Sequence, residues 1–315
     1  MSELESLAAR VGQLPGVRAK AGIGLVAEVL GTGDWYSGPG DDGAVLPPGT
    51  GHLVVGGEAI LPSFVDVDPY GAGIAAVLAN VNDLAAMGAR PVGLVDTVVG
   101  TPEIARELLR GMRWAAQVYD VPLVGGHLTL TDDRPSLSAF GIGRADRVLS
   151  ARHAQAGQVL VLGCCVEGAM RADFPFFPSF DERGARLAED VRLLADLAAR
   201  GVAVAAKDVS MAGLVGSLAM LLEPGRLGVT VDLDRVPVPD GVALADWLGC
   251  FPCYAFLLTC PPDQAETCLR AFRGRGLAAE KLGVLDASGR VRLAQGTESA
   301  LAFDLRTAGV TNLHR

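Results

Sequence analysis

The segment from Gly71 to Gly88 constrains the fold of this chain more than any other. It is built almost throughout of small and apolar residues, opens just after Pro69 and closes on a glycine. Those are the start and stop signals of a helix, and a helix that is apolar on every side has to be buried. Its alanines permit close approach, so the natural partner is a sheet lying against it.

The flanking pattern supplies that sheet. Apolar periodicity punctuated by Gly and Pro predicts helices over 3–13 and 18–30, then a Gly-rich loop reaching Gly43. Strands are expected at 43–47 and 52–59 ahead of the buried helix, and at 91–99 after it. A helix over 102–119 opens with Thr101-Pro102-Glu103, and short strands are expected at 121–124 and 136–143. The second half repeats the plan. Its expected elements are a strand at 158–162, a helix at 181–200, a strand at 202–206, a helix at 211–222 and a strand at 228–233. A strand, helix and strand then run to about 285. This mixture is a mixed α/β, or α+β, fold class, and no short internal repeat is present.

A chain of 315 residues suits two domains at roughly 150 residues each. Composition breaks at 144–157, where Arg144, Asp146, Arg147, Arg152 and His153 collect. The expected domains are therefore 1–150 and 151–315. With 50% hydrophobic and 20% charged residues the chain can bury a real core and is not disordered.

The net charge of −9 and the lack of any long Lys/Arg run argue against a nucleic-acid partner. No stretch reaches the ~18 apolar residues of a membrane span. The start, Met1 to Gly12, is amphipathic with Glu3 and Glu5 in its first turn, unlike a signal peptide. The expected location is the cytoplasm. All six cysteines lie at 164, 165, 250, 253, 260 and 268. Cys250 and Cys253 have the gap of a zinc knuckle, with Cys260 and Cys268 available to complete it, but the apolar setting of Phe251, Pro252, Tyr254 and Phe256 favours reduced core thiols.

Four stretches carry chemistry. The first is Gly38-Pro39-Gly40-Asp41-Asp42-Gly43-Ala44-Val45, two adjacent carboxylates on a Gly-rich loop. This is either an ordinary turn or a pair of hard oxygen ligands holding Mg²⁺ against a nucleotide. In the second, Asn80 and Asp83 are spaced to share one face of the buried helix. A carboxylate buried without a partner costs several kcal/mol, so Asp83 calls for a metal, a cation or a set of backbone donors. The third is Lys207-Asp208-Val209-Ser210-Met211-Ala212-Gly213, where Asp208 or Ser210 is either a helix N-cap or a ligand. The fourth is Leu123-Val124-Gly125-Gly126-His127, a strand ending in glycines that let the backbone bend under a ligand, with a histidine that is structural or functional.

Taken in order, these stretches resemble the selenophosphate synthetases. Asp41-Asp42-Gly43-Ala44-Val45 is followed by Asp68-Pro69-Tyr70-Gly71, by Ile74-Ala75-Ala76 and by Asn82-Asp83-Leu84-Ala85-Ala86-Met87-Gly88. Gly125-Gly126-His127 and Asp208-Val209-Ser210, with Gly213, Leu214 and Gly216, complete the set. The same skeleton occurs more loosely in thiamine-monophosphate kinase, aminoimidazole ribonucleotide (AIR) synthase and the hydrogenase-maturation dehydratase. The resemblance spans about residues 38 to 260. It implies a two-domain AIR synthase-like fold, whose N-terminal sheet forms a barrel across a homodimer and whose C-terminal domain is α/β. It also implies ATP in the groove between domains and subunits, with Mg²⁺ held by Asp41, Asp42, Asp83 and Asp208.

Departures from the pattern bear on the substrate. Selenophosphate synthetases carry a reactive cysteine or selenocysteine with a lysine near the N-terminus, whereas no cysteine precedes Cys164 here, which argues against selenide chemistry. Lys20 is either a remnant of that lysine or a helix-surface residue. Glu58, in Gly56-Gly57-Glu58, stands where relatives often have an aspartate ligand, and Gly163-Cys164-Cys165-Val166-Glu167-Gly168 replaces a glycine-rich loop. Asp173-Phe174-Pro175-Phe176-Phe177-Pro178-Ser179-Phe180 has no counterpart and is an apolar lid or a packed connection.

The resulting expectation is an ATP- and Mg²⁺-dependent enzyme that phosphorylates an oxygen of a small acyl, amide or phosphate metabolite. Asp41, Asp42, Asp83, Asp208 and Glu58 are the expected metal ligands. Asp41, Asp42, Gly43, Asn80, Asp83, Gly125, Gly126 and Ser210 are expected at the nucleotide, and His127 and Lys20 are the candidate catalytic residues. The rivals are a nucleotide-binding subunit without catalysis and a thiamine-monophosphate kinase.

Overall fold

A computed structural model of the chain describes residues 2–21, 41, 42, 44, 45 and 51–313. Gly43, the loop 38–40 and most of the helix expected over 18–30 lie outside the described residues. The chain divides into two packing units. One comprises Asp42–Arg147 with Arg183–Asp196; the other comprises the described residues up to Asp41 with Val148–Glu182 and Leu197–Arg315.

In the first unit, β1 (Ala44–Val45), β2 (His52–Ile60), β3 (Arg90–Gly100), β4 (Leu123–Leu130) and β5 (Ser136–Ala145) form a five-stranded sheet in the order β1-β2-β5-β3-β4. Two helices, α3 (Pro62–Val67) and α4 (Pro69–Ala86), fill the connection from β2 to β3, and α5 (Pro102–Tyr119) crosses from β3 to the parallel β4. The segment singled out by its small apolar residues is α4, capped by the Asp68 carboxylate, which accepts the Gly71 N–H at 2.8 Å. Strand β5 alternates cleanly: Leu137, Ala139, Gly141 and Gly143 are buried while Ser136, Phe140 and Arg144 are exposed. The buried row lies under α4, because a Cβ on Gly141 would come within 3.0 Å of Leu84 and 3.2 Å of Asn80. Glycine at those positions sets how deeply α4 sits on the sheet.

The second unit is built on a seven-stranded sheet. Its strands are β6 (Val159–Cys164), β8 (Ala205–Asp208), β9 (Gly228–Asp232), β11 (Ala255–Cys260), β12 (Ala278–Asp286), β13 (Arg290–Gln295) and β14 (Glu298–Asp304). They run in the order β14-β13-β9-β12-β6-β11-β8. Two further short strands, β7 (Phe176–Phe177) and β10 (Phe251–Pro252), pair in parallel apart from it. The central strands β6 and β11 are buried along their whole length, as continuous apolar runs should be when both faces are covered.

The helices of this unit are α1 (Glu3–Gly12), α2 (Pro15–Lys20), α6 (Phe180–Arg183), α7 (Arg186–Ala199), α8 (Gly213–Leu222), α9 (Leu244–Gly249) and α10 (Ala265–Arg273); the Arg183 end of α6 and most of α7 group with the first unit. Helix α8 is buried at every position. Helix α1 starts with a reciprocal cap, Ser2 Oγ accepting from Glu5 N–H and Glu5 accepting from Ser2 N–H. It then buries Leu4, Ala8 and Val11 against the far edge of the sheet at β14. This is why the N-terminal segment packs with the second unit although it precedes the first in sequence.

Several expectations meet a different outcome. The helix expected over 181–200 is interrupted at Gly184, which adopts φ +50°, so α6 ends and α7 begins anew. The Gly125-Gly126-His127 stretch does not end a strand: β4 continues through it to Leu130, held by parallel pairing with β3. Beyond 285 the chain adds the antiparallel hairpin β13–β14, which the sequence pattern had not announced.

Candidate functional site

Asp42 is presented by the loop that enters β1, and Asp83 by the C-terminal half of α4. Both are half-buried, and their carboxylate oxygens come within 4.8 Å of one another. Hard oxygen donors this close, at the C-terminal and therefore electronegative part of a helix, make a strongly negative spot that favours a divalent cation. One turn back, Asn80 is fully buried. Its amide donates to the carbonyls of Ala76 at 2.8 Å and Ala139 at 3.2 Å, which fixes the side chain between helix and sheet and leaves Oδ1 without a donor among the described residues.

Asp41, the other half of the acidic pair, turns elsewhere. Its carboxylate accepts from Ser150 Oγ–H at 2.6 Å and from Ala151 N–H at 2.7 Å. Burial raises its pKa above the ordinary carboxylate value, against the lowering effect of those two hydrogen bonds. Two carboxylates adjacent in sequence thus belong to different packing units. Glu58 lies on β2 opposite Ala139, on the sheet face that carries α4, and is half-buried.

Gly125, Gly126 and His127 lie on an edge strand whose residues from Val124 to Leu130 are all exposed. Gly126 is opposite Asp96 of β3, and a Cβ there would meet the Asp96 carboxylate at 2.6 Å. The glycine makes room for an acid rather than bending under a ligand. Strand alternation places His127 on the opposite face from Gly126. Asp96 is the residue that the sequence reading missed. Burial alone pushes its carboxyl above the ordinary value, and the available signal was an acid inside the apolar run Leu94 to Val99.

In the second unit Asp208 ends β8 and is buried, with Lys207 Nζ 3.1 Å from its Oδ1. Neither Asp208 nor Ser210 caps the next helix, since α8 starts after Ala212 with no side-chain cap. The N-cap alternative is thereby removed. Ser210 accepts Gly213 N–H through its carbonyl, while its hydroxyl oxygen is buried with no partner among the described residues. Lys20 ends α2, whose Gly16 is so close to the Met211 carbonyl that a Cβ would lie 1.8 Å from it. Lys20 thus ends a helix pressed onto the turn that follows Ser210.

The cysteines are all buried and form no disulfide, and burial raises the Cys250 thiol to about 12. None belongs to a group of three metal-ligating side chains among the described residues. The segment 173–180 divides: Phe177 is fully buried against Trp247, whereas Phe174 stays exposed and lines a cavity with Pro175. Among the described residues no helix is long and apolar enough to cross a membrane.

Comparison with known proteins agrees with this architecture. Residues 40–145 match the family of the AIR synthase related protein, N-terminal domain, and residues 177–295 match its C-terminal domain. An uncharacterized protein of Synechocystis sp. is 34% identical over 277 residues, covering 86% of this chain and 85% of that protein. Thermotoga maritima PurL, solved with ADP, superposes with a TM-score of 0.73 at 19% identity over 86% of this chain and 46% of PurL. The chain therefore spans about half the length of that relative. AaThiL, solved with AMPPCP and TMP, superposes with a TM-score of 0.66 at 16% identity, covering 89% and 95% of the two chains.

Proposed function

We propose that this chain, which belongs to the AIR synthase related family, is an ATP-dependent enzyme that phosphorylates an oxygen of a small acyl, amide or phosphate metabolite. The observation that carries this reading is the approach of the Asp42 and Asp83 carboxylates to within 4.8 Å, one just ahead of β1 and the other on α4. The donor set fits Mg²⁺, which takes carboxylate and phosphate oxygens and keeps several waters. Asp42 and Asp83 would hold it, with Glu58 in support, and Asp208 is proposed as a ligand on the sequence resemblance alone. When bound, the cation neutralises charge on the triphosphate.

The chain's own residues position and neutralise. Asn80 Oδ1 in the first unit and the Ser210 hydroxyl in the second are buried polar atoms with no protein partner among the described residues, and a bound nucleotide or its waters would satisfy either of them. Lys207 is buried beside Asp208 and offsets part of the charge that gathers in transfer. In the reaction a substrate oxygen bonds to the γ-phosphorus, the bond to the β,γ-bridging oxygen breaks, and its electron pair leaves with ADP. The exposed apolar side chains of β4 (Val124, Leu128 and Leu130), together with its open edge, support a homodimer formed through this sheet. His127 lies on the other face of β4 from those three side chains, and Asp41 serves by holding the 150–154 turn.

The test is calorimetry with ATP and Mg²⁺, followed by ADP release with a panel of small carboxylates, amides and phosphate esters including thiamine monophosphate. Asp83→Asn and Asp208→Asn should each abolish ADP formation while the far-ultraviolet spectrum is kept. Unchanged turnover in either variant removes that residue from the site. Binding without ADP formation on every substrate would favour a nucleotide-binding subunit instead.

A further inference from the structure

The second unit contains a cavity of about 790 Å³, within the roughly 300–1,000 Å³ range of small-molecule sites. Helices α1 and α2, with Leu14 between them, make one wall, the segment after Met170 makes another through Phe174, and the start of α9 makes the third. Phe174 and Met211 are 41% and 39% exposed, so two large apolar side chains remain in water at its surface. A soluble protein can hold such groups in reserve for a ligand that covers them.

The charges on the wall are selective. Arg171 is occupied, donating to both oxygens of Asp173 at 2.9 and 2.7 Å. Arg10 of α1 and Asp246 of α9 also line the cavity, are exposed, and have no ion-pair partner among the described residues. An apolar enclosure with one open cation and one open anion complements a molecule that carries both charges. Met211 joins this wall to the Asp208-Val209-Ser210 stretch, since it directly follows Ser210.

We infer that the cavity binds the acceptor substrate and that this substrate is a small zwitterion with an apolar body. Its anionic group faces Arg10, its cationic group faces Asp246, and its body packs on Phe174 and Met211. The substrate role rests on the phosphoryl-transfer reading above; the binding of a zwitterion does not.

The experiment is calorimetry on the full chain without nucleotide. The probes are L-phenylalanine and the dipeptide leucyl-phenylalanine as zwitterions, 3-phenylpropionate as an anion and phenethylamine as a cation. At least one zwitterion should bind about tenfold or more tightly than either single-charge probe, the size of effect expected of a lost charge-assisted hydrogen bond. Arg10→Gln and Asp246→Asn should each remove that advantage, and Ala245→Trp, placed in the α9 wall, should block binding. Far-ultraviolet spectra identify any variant that fails to fold, and the remaining two then decide. If neither zwitterion binds, or if Arg10→Gln and Asp246→Asn both bind as wild type does, the assignment is overturned. Zwitterion binding in a protein that never forms ADP would uphold the site and overturn the phosphoryl-transfer reading alone.

Discussion

Replacing Glu223 should release the C-terminal segment, and the structure sets the size of the effect. Glu223 follows α8 and is 3% exposed. One of its oxygens accepts Val310 N–H at 3.0 Å and Thr311 N–H at 2.9 Å, and the other accepts Thr311 Oγ–H at 2.9 Å. Glu223→Ala leaves two backbone donors buried with no acceptor, at about 1–3 kcal/mol each, and deletes charge-assisted hydrogen bonds besides. Some relaxation toward water will recover part of this, so a loss of about 3–5 kcal/mol is expected. Glu223→Gln keeps one carbonyl oxygen for the two N–H groups, and Thr311 Oγ can turn to accept from the new amide. Only the ionic strengthening is lost, about 1–2 kcal/mol. Thermal unfolding reads both, at roughly 2–4 °C per kcal/mol for a unit of this size, and hydrogen exchange at Val310 and Thr311 localises the change. A loss below about 1 kcal/mol for the alanine variant, or equal losses for Ala and Gln, would refute the reasoning, because the first denies the unsatisfied donors and the second denies the shared shape.

Further outcomes follow from other contacts. Arg183 donates through both Nε and Nη2 to Oδ2 of Asp190 at 0% side-chain exposure, so Arg183→Leu alone should cost about 3–5 kcal/mol by leaving a buried charge, while Arg183→Leu with Asp190→Leu should restore most of it; chemical denaturation measures both. Gly111→Ala gains up to about 1 kcal/mol of helix propensity. The new Cβ would sit 2.0 Å from the Tyr70 carbonyl oxygen, so separation of α4 from α5 should win and the variant should melt lower than wild type. Asp96 is held above its ordinary carboxyl value by burial, so its ionised form is disfavoured in the folded state and stability falls as pH rises through the folded value. Asp96→Asn should therefore raise the melting temperature at pH 8, with the gain fading below pH ~4, where folded and unfolded chains both carry the proton. A gain that grows on acidification would contradict this sign. The Asp304 carboxyl, hydrogen-bonded first by Arg306 and then by Arg290, should titrate at about 2 in an NMR experiment.

Much of the architecture was legible from local signals. The helix 102–119 emerges at the expected residues because Thr101 caps it and Pro102 opens it. The buried helix near 71–88 emerges as α4 because its small residues suit only an interior position. Of the acids singled out in the sequence, those at 42 and 83 come within 4.8 Å of one another, at positions where a charged group needs a partner.

What the sequence determined, then, was the periodicity of the elements and the identity of the acids set among apolar neighbours. Tertiary structure alone decided that Asp41 serves Ser150 and Ala151 while Asp42 joins Asp83, that Gly126 is small to admit Asp96, and that α1 packs on β14 rather than with the strands nearest in sequence. It also decided that Glu223 fastens a segment near residue 310. Capping, propensity and alternation act within a few residues and leave a mark on the sequence. Which distant strand, carbonyl or hydroxyl a side chain meets depends on pairing across long chain separations, and no short window of residues records that choice.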